Sequence, residues 1–155
     1  MTPARAILLL LLAIGALVAG GCGGDGQLSK TEYAEKVRSV YGEVQEAFQR
    51  TNVTSLTELA DRVADAQQQL RDAAAELEDT QPPEDVAAEH AQLAEGMRGY
   101  AEDLDRLRNA AEQGDERTIE DFNARIALNK SVEQMAEAAE RMKFKGYDLG
   151  QIAEE

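Results

Sequence analysis

From Leu56 to Leu77, apolar residues recur at alternating steps of three and four: Leu56, Leu59, Val63, Ala66, Leu70, Ala73 and Leu77. After Pro82-Pro83 the same rhythm resumes at Val86, His90, Leu93, Met97, Tyr100, Leu104, Leu107 and Ala111. Steps of that size lay one narrow seam along a helix, and such a seam is buried against other helices. The proline pair stops the first of the two, because proline has no N–H to donate and disfavours helical geometry in the residue before it. The centre of the chain therefore reads as an antiparallel helical hairpin.

The flanks extend the pattern. Ser29-Lys30-Thr31-Glu32 has the spacing of a capping box, with Leu28 and Tyr33 placed as a hydrophobic staple. Tyr33, Val37, Val40, Tyr41, Val44 and Phe48 then form an apolar face, and Thr51–Thr54 reads as a turn before a second box at Ser55 and Glu58. The third helix is expected to begin near Pro83 or Glu84 and to end at Gly114, with Asp115 capping a fourth. That fourth helix has one stripe through Ile119, Phe122 and Ile126 and another through Leu128, Val132, Met135, Ala139 and Met142. The slip in phase beside Asn129 predicts a twist or local kink. Gly146 ends the helix, and residues 147–155 form a tail able to pack through Tyr147, Leu149 and Ile152. Four helices of about 20–30 residues with short connections give an all-α, up-down-up-down four-helix bundle over residues 29–146.

Composition narrows the function. The 155 residues include three prolines and no tryptophan, and suit a single helical domain plus a targeting segment. A net charge of −14 argues against nucleic acid and against anionic lipid met through a basic face. A single cysteine excludes an internal disulfide.

That cysteine stands in a distinctive place. A short positive lead, Met1–Arg5, precedes the apolar run Ala6–Ala19, which is shorter than the ~20 residues a membrane-spanning helix needs. Residues 1–21 therefore read as a secretory signal. Ala19-Gly20-Gly21-Cys22 resembles a bacterial lipobox, the site at which lipoprotein signals are cleaved. The resemblance implies cleavage between Gly21 and Cys22, diacylglycerol on the Cys22 thiol, and anchoring at the extracytoplasmic face of the cell membrane. Residues 22–28 would then form a glycine-rich tether reaching at most ~20 Å beyond the cysteine. On that footing the Pro82-Pro83 tip, with Glu78, Asp79, Glu84 and Asp85, faces the lipid, while Thr51–Thr54 and Gly114-Asp115 point away from it.

Candidate chemistry is sparse. His90 is the only histidine, and counting from the turns puts it in one layer with Tyr33, Ala73 and Ala138 or Ala139. Small alanines beside two polar-tipped rings leave room for a Tyr33–His90 hydrogen bond or a small cavity. His90 and Tyr33 are thus the candidate polar-core or ligand site. A carboxylate-bridged metal site in a bundle would instead show repeated Glu-x-x-His pairs, which this chain lacks. No nucleophile triad, CxxC pair or phosphate-cradling loop is present, so neither an enzyme, a metal nor a cofactor is expected.

Leu77 to Asp115, with Pro82-Pro83, His90, Leu93, Leu104, Leu107 and Gly114-Asp115, is similar to small helical lipoproteins of high-GC Gram-positive bacteria. The resemblance implies location and style, and assigns no residue a role. The sequence thus points to a membrane-tethered, non-catalytic accessory protein with an envelope protein as partner. The alternative is a bundle holding haem, a metal or an apolar metabolite in its core near His90.

Overall fold

The computed structural model describes residues 26–49 and 53–153. The expected signal segment at residues 1–21, the expected cleavage between Gly21 and Cys22, and the lipidation expected at Cys22 all fall outside the described residues. The described residues are all-helical, with no strand among them: α1 is Lys30–Gln49, α2 Leu56–Glu78, α3 Ala87–Gln113, α4 Glu116–Arg125 and α5 Lys130–Phe144.

Local chemistry sets the ends of these helices. Glu32 N–H donates to Ser29 Oγ at 3.4 Å and Ser29 N–H to Glu32 Oε2 at 2.9 Å, which closes a reciprocal box ahead of α1. Ahead of α2, Glu58 N–H donates to Ser55 Oγ, but the Glu58 carboxylate reaches one residue further back, to Thr54 N–H and Oγ1. After the prolines the chain first makes a 3₁₀ turn, Glu84–Val86, and α3 starts only at Ala87. Both Gly114 and Gly146 hold positive φ, 71° and 80°, the left-handed conformation that ends a helix at low cost only in glycine.

The fourth predicted helix is divided rather than kinked. Residues 126–128 form a 3₁₀ turn, and Asn129 leaves helical geometry altogether at φ −73°, ψ 126°. Its side-chain oxygen accepts from Ser131 N–H and Val132 N–H, so Asn129 is the N-cap of a new helix. Asp103 on α3 fixes that start by accepting from Asn129 Nδ2 at 2.8 Å and Ser131 Oγ at 2.9 Å.

α2 and α3 form the central pair; α1 packs on α2, and both α4 and α5 pack on α3. The shared core runs through Val37, Val40, Leu70, Leu77, Leu93, Met97, Leu104 and Met142. Two glycines let α5 approach α3 closely. A Cβ on Gly96 would stand 2.5 Å from Met135 Cγ, and one on Gly99 2.7 Å from Ser131 Oγ, so neither position has space for a methyl group. α4 has no buried residue, and its partly covered apolar side chains are Ile119 and Phe122.

Candidate functional site

Two places gather the side chains worth weighing, and they lie at opposite ends of the helices. The first is where α1 begins. Tyr33 is fully buried and His90 is 7% exposed, and Tyr33 Oη lies 3.0 Å from His90 Nδ1. Burial pushes the Tyr33 phenol far above its ordinary range, so it keeps its proton, and the direction of the bond to Nδ1 follows the imidazole tautomer. Burial also lowers His90 below the ordinary imidazole value, with the Leu77 carbonyl acting in the opposite sense. The ring is therefore neutral near pH 7.

Leu77 and Met142 join this pair, the Leu77 carbonyl acting on His90 and Met142 Sδ lying 4.0 Å from Tyr33 Oη, while Ala73, Ala138 and Ala139 of the expected layer are all buried in the same core. The tail supplies a third ring, as Tyr147 packs edge-on against Tyr33 at 5.7 Å and donates from its hydroxyl to Asp85 Oδ1 at 2.7 Å. Lys30 sits over the Tyr147 ring and donates to the Lys145 carbonyl. Lys145 donates in turn to Asp85 O and to Glu89, whose carboxyl is held below its ordinary range chiefly by that lysine. Glu89 is a buried carboxylate that periodicity missed, lying just off the seam beside His90. At this end polar groups are matched pairwise among themselves.

The second place is where α1 finishes. An apolar groove of about 280 Å³ opens between the end of α1 and α4, floored by Leu59, Val63 and Ala66 of α2 and Tyr100, Leu104 and Leu107 of α3. Phe48 stacks on Tyr100 as one wall, and Phe122 and Ile126 form the other. Phe48 and Ile126 remain 38% and 42% exposed although both adjoin core residues. A second hollow of about 310 Å³ lies behind Phe122 and Ile126, bordered by Leu128 and by Glu102, Asp103 and Asp121. Leu128, 80% exposed, extends the apolar surface past the break. The seam residues of this floor were legible in the sequence; the gap above them was not, because it follows from α4 ending early.

Gln67 was also missed. It is fully buried between α2 and α3, donating to Ala101 O and Asp105 Oδ1 and accepting from Arg108. Such a linkage fixes the register of the two helices. Among the described residues no group of three or more His, Cys, Asp or Glu side chains is arranged to hold a metal ion. No described helix is long and apolar enough to cross a membrane. Comparison of the chain with protein-family models, with curated proteins and with solved structures gave no match.

Proposed function

We propose that the chain is a lipid-anchored, extracytoplasmic accessory protein of a cell envelope, which presents the groove between α1 and α4 to a protein partner and performs no catalysis. Residues 29–146 then act as an antiparallel up-down-up-down bundle in which α4 and α5 together take the fourth place. In support, Leu28 N–H donates to Gln81 O, Gln27 to Pro82 O, and Lys30 to Lys145 O. The start of α1 thus lies beside the α2–α3 turn and the end of α5. Anchoring rests on the signal-like Ala6–Ala19 run and on Cys22, four residues before Gly26. Four residues span at most ~14 Å, which would hold the Pro82-Pro83 end near the lipid and leave the groove in the far half. The likeness to small helical lipoproteins of high-GC Gram-positive bacteria agrees with that location.

The groove is the observation that carries this reading. An exposed apolar surface joined to the core and rimmed by charge is the usual form of a protein contact. Among the described residues, the carboxylates whose acidity departs from the ordinary value, Glu32, Glu58, Glu89 and Asp115, are all lowered. A general acid working near neutral pH needs the opposite shift.

The test places a photoreactive phenylalanine at Phe48 in the native envelope, beside a Cys22→Ser form. One defined crosslinked partner, lost in Cys22→Ser together with detergent partitioning, is expected. Failure to crosslink any protein at Phe48, or unchanged partitioning of a processed Cys22→Ser form, overturns the reading.

A further inference from the structure

Resting on the reading of the groove as a protein contact, we propose that its occupant is a basic amphipathic helix, whose apolar stripe lies on Leu59, Val63 and Leu104 and whose Lys or Arg side chains meet Glu43, Glu46 and Asp65. The dimensions suit a helix. The floor runs from Leu59 to Ala66 on α2 and from Tyr100 to Leu107 on α3, a separation of seven positions in each case. At 1.5 Å per residue that is ~10 Å, the rise between anchors at i and i+7 of an incoming helix. A volume of about 280 Å³ takes two or three apolar side chains and leaves the rest of the helix at the surface.

Charge selects among occupants. The hollow directly adjoining the groove, on the side formed by α1 and α2, is lined by Glu43, Glu46 and Asp65, all exposed, with Arg62 the one cation among the described residues there. Arg62 is itself 3.9 Å from Glu58. The opposite side, where α3 meets α4, is nearly balanced, because Arg106 and Arg125 stand among Glu102, Asp103 and Asp121. Both sides are thus net negative, the α1–α2 side by one charge more, and the occupant's positive charge belongs first on that flank of its apolar stripe. A second copy of this chain carries the same net charge of −14 and is repelled. A fatty acid, which could fill the groove with its chain, would bring an anionic head to an acidic rim.

The probe is a fluorescein-labelled peptide of about 18 residues, with leucines at i, i+3 and i+7 spacing, lysines along one flank and alanine elsewhere. It is titrated by anisotropy against the full chain in zwitterionic nanodiscs, with empty nanodiscs as blank. Three variants are compared, each with its helical circular dichroism checked: the triple E43Q/E46Q/D65N, the groove-filling Asn123→Trp, and the remote triple E35Q/E84Q/E140Q. The rim triple is expected to weaken binding roughly fivefold to tenfold and to flatten its salt dependence. Asn123→Trp is expected to weaken it at least ~10-fold, and the remote triple less than ~2-fold, since exposed charges beyond a Debye length are screened.

Equal weakening by the two triples, or equal binding of a peptide with glutamate for lysine, overturns the proposal. So does displacement of the peptide by sodium dodecanoate at concentrations below its micelle formation. If the peptide fails while Phe48 still crosslinks a defined partner, the basic helix is wrong and the contact surface stands. If both fail, neither stands.

Discussion

Where α1 begins, Tyr33, Leu77, Val86 and Met142 are sealed from solvent and the tail folds back over them; where α1 finishes, Phe48, Val53 and Ile126 are each more than a third exposed. Both ends are built from the same seams on α2 and α3, so seam quality does not separate them. Closure does. At the first end α5 continues to Phe144, turns at Gly146, and adds Tyr147 and Leu149 to the core. At the second, α4 is only ten residues long, carries no buried side chain, and is succeeded by a turn. Stability concentrated in one half leaves apolar surface free in the other, the usual division between scaffold and recognition surface.

The largest test of this contrast is a pair of truncations. Leu77→Ala at the sealed end is expected to cost about 2–5 kcal/mol in urea unfolding, the range for a buried leucine. Ile126→Ala beside the groove is expected to cost less than ~1 kcal/mol, because its side chain is already 42% exposed. Equal costs would erase the distinction.

Glycines sharpen it next. Gly96→Ala is expected to lower stability by about 1–3 kcal/mol, because Met135 and the Ser131 carbonyl leave no space for a methyl group. Gly42→Ala, with nothing within 4 Å of the added Cβ, is expected to raise stability by roughly 0.5–1 kcal/mol through helix propensity. A stabilising Gly96→Ala would mean that α3 and α5 are not held as close as described.

Mild acid probes the sealed end through His90. His90 is lowered from 6.5 in the folded state, so the unfolded chain binds the proton first and stability rises with pH across that window. Stability is therefore full above pH 6.5 and is lost as the pH falls from there toward the folded value. Below about 4.5, Glu89 adds a loss in the same direction, since its folded value is also lowered. Unfolding measured between pH 7.5 and 5.5 is expected to show this slope, and His90→Gln to flatten it. An unchanged slope in His90→Gln would place the titrating group elsewhere.

The smallest effect concerns local opening. Amides of α4 are expected to exchange with solvent faster than those in the middle of α3, where Met97, Ala101 and Leu104 are covered. Equal protection would show that α4 is held by more than its partly covered Ile119 and Phe122.

What the sequence revealed was whatever neighbours along the chain decide. The seams, the box at Ser29, the Ser55 cap, the stops at Gly114 and Gly146 and the Asp115 cap all depend on residues within five positions of each other. Asn129 illustrates the boundary. Its phase slip was visible, but the full break also needs Asp103, 26 residues away, to hold its side chain. Gln67, Glu89, Gly96 and Gly99 escaped for the same reason, since each is explained by a partner on another helix. The Tyr33–His90 approach was accessible by counting turns, whereas Leu77 and Met142, which join it, were not in the count. The groove was least accessible, for it is a space left by the shortness of α4 rather than a pattern in any helix.

The proximity of the two described ends has a topological consequence. Leu28 pairs with Gln81, Arg38 with the Asp148 carbonyl, and Lys30 with Lys145, so the chain returns almost to its starting point. A peptide joining residues 153 and 26, with a new opening between Gln49 and Val53, would preserve every helix while moving α1 from first to last in the order of synthesis. The result would be a circular permutant in which α2 and α3 emerge first and α1 last.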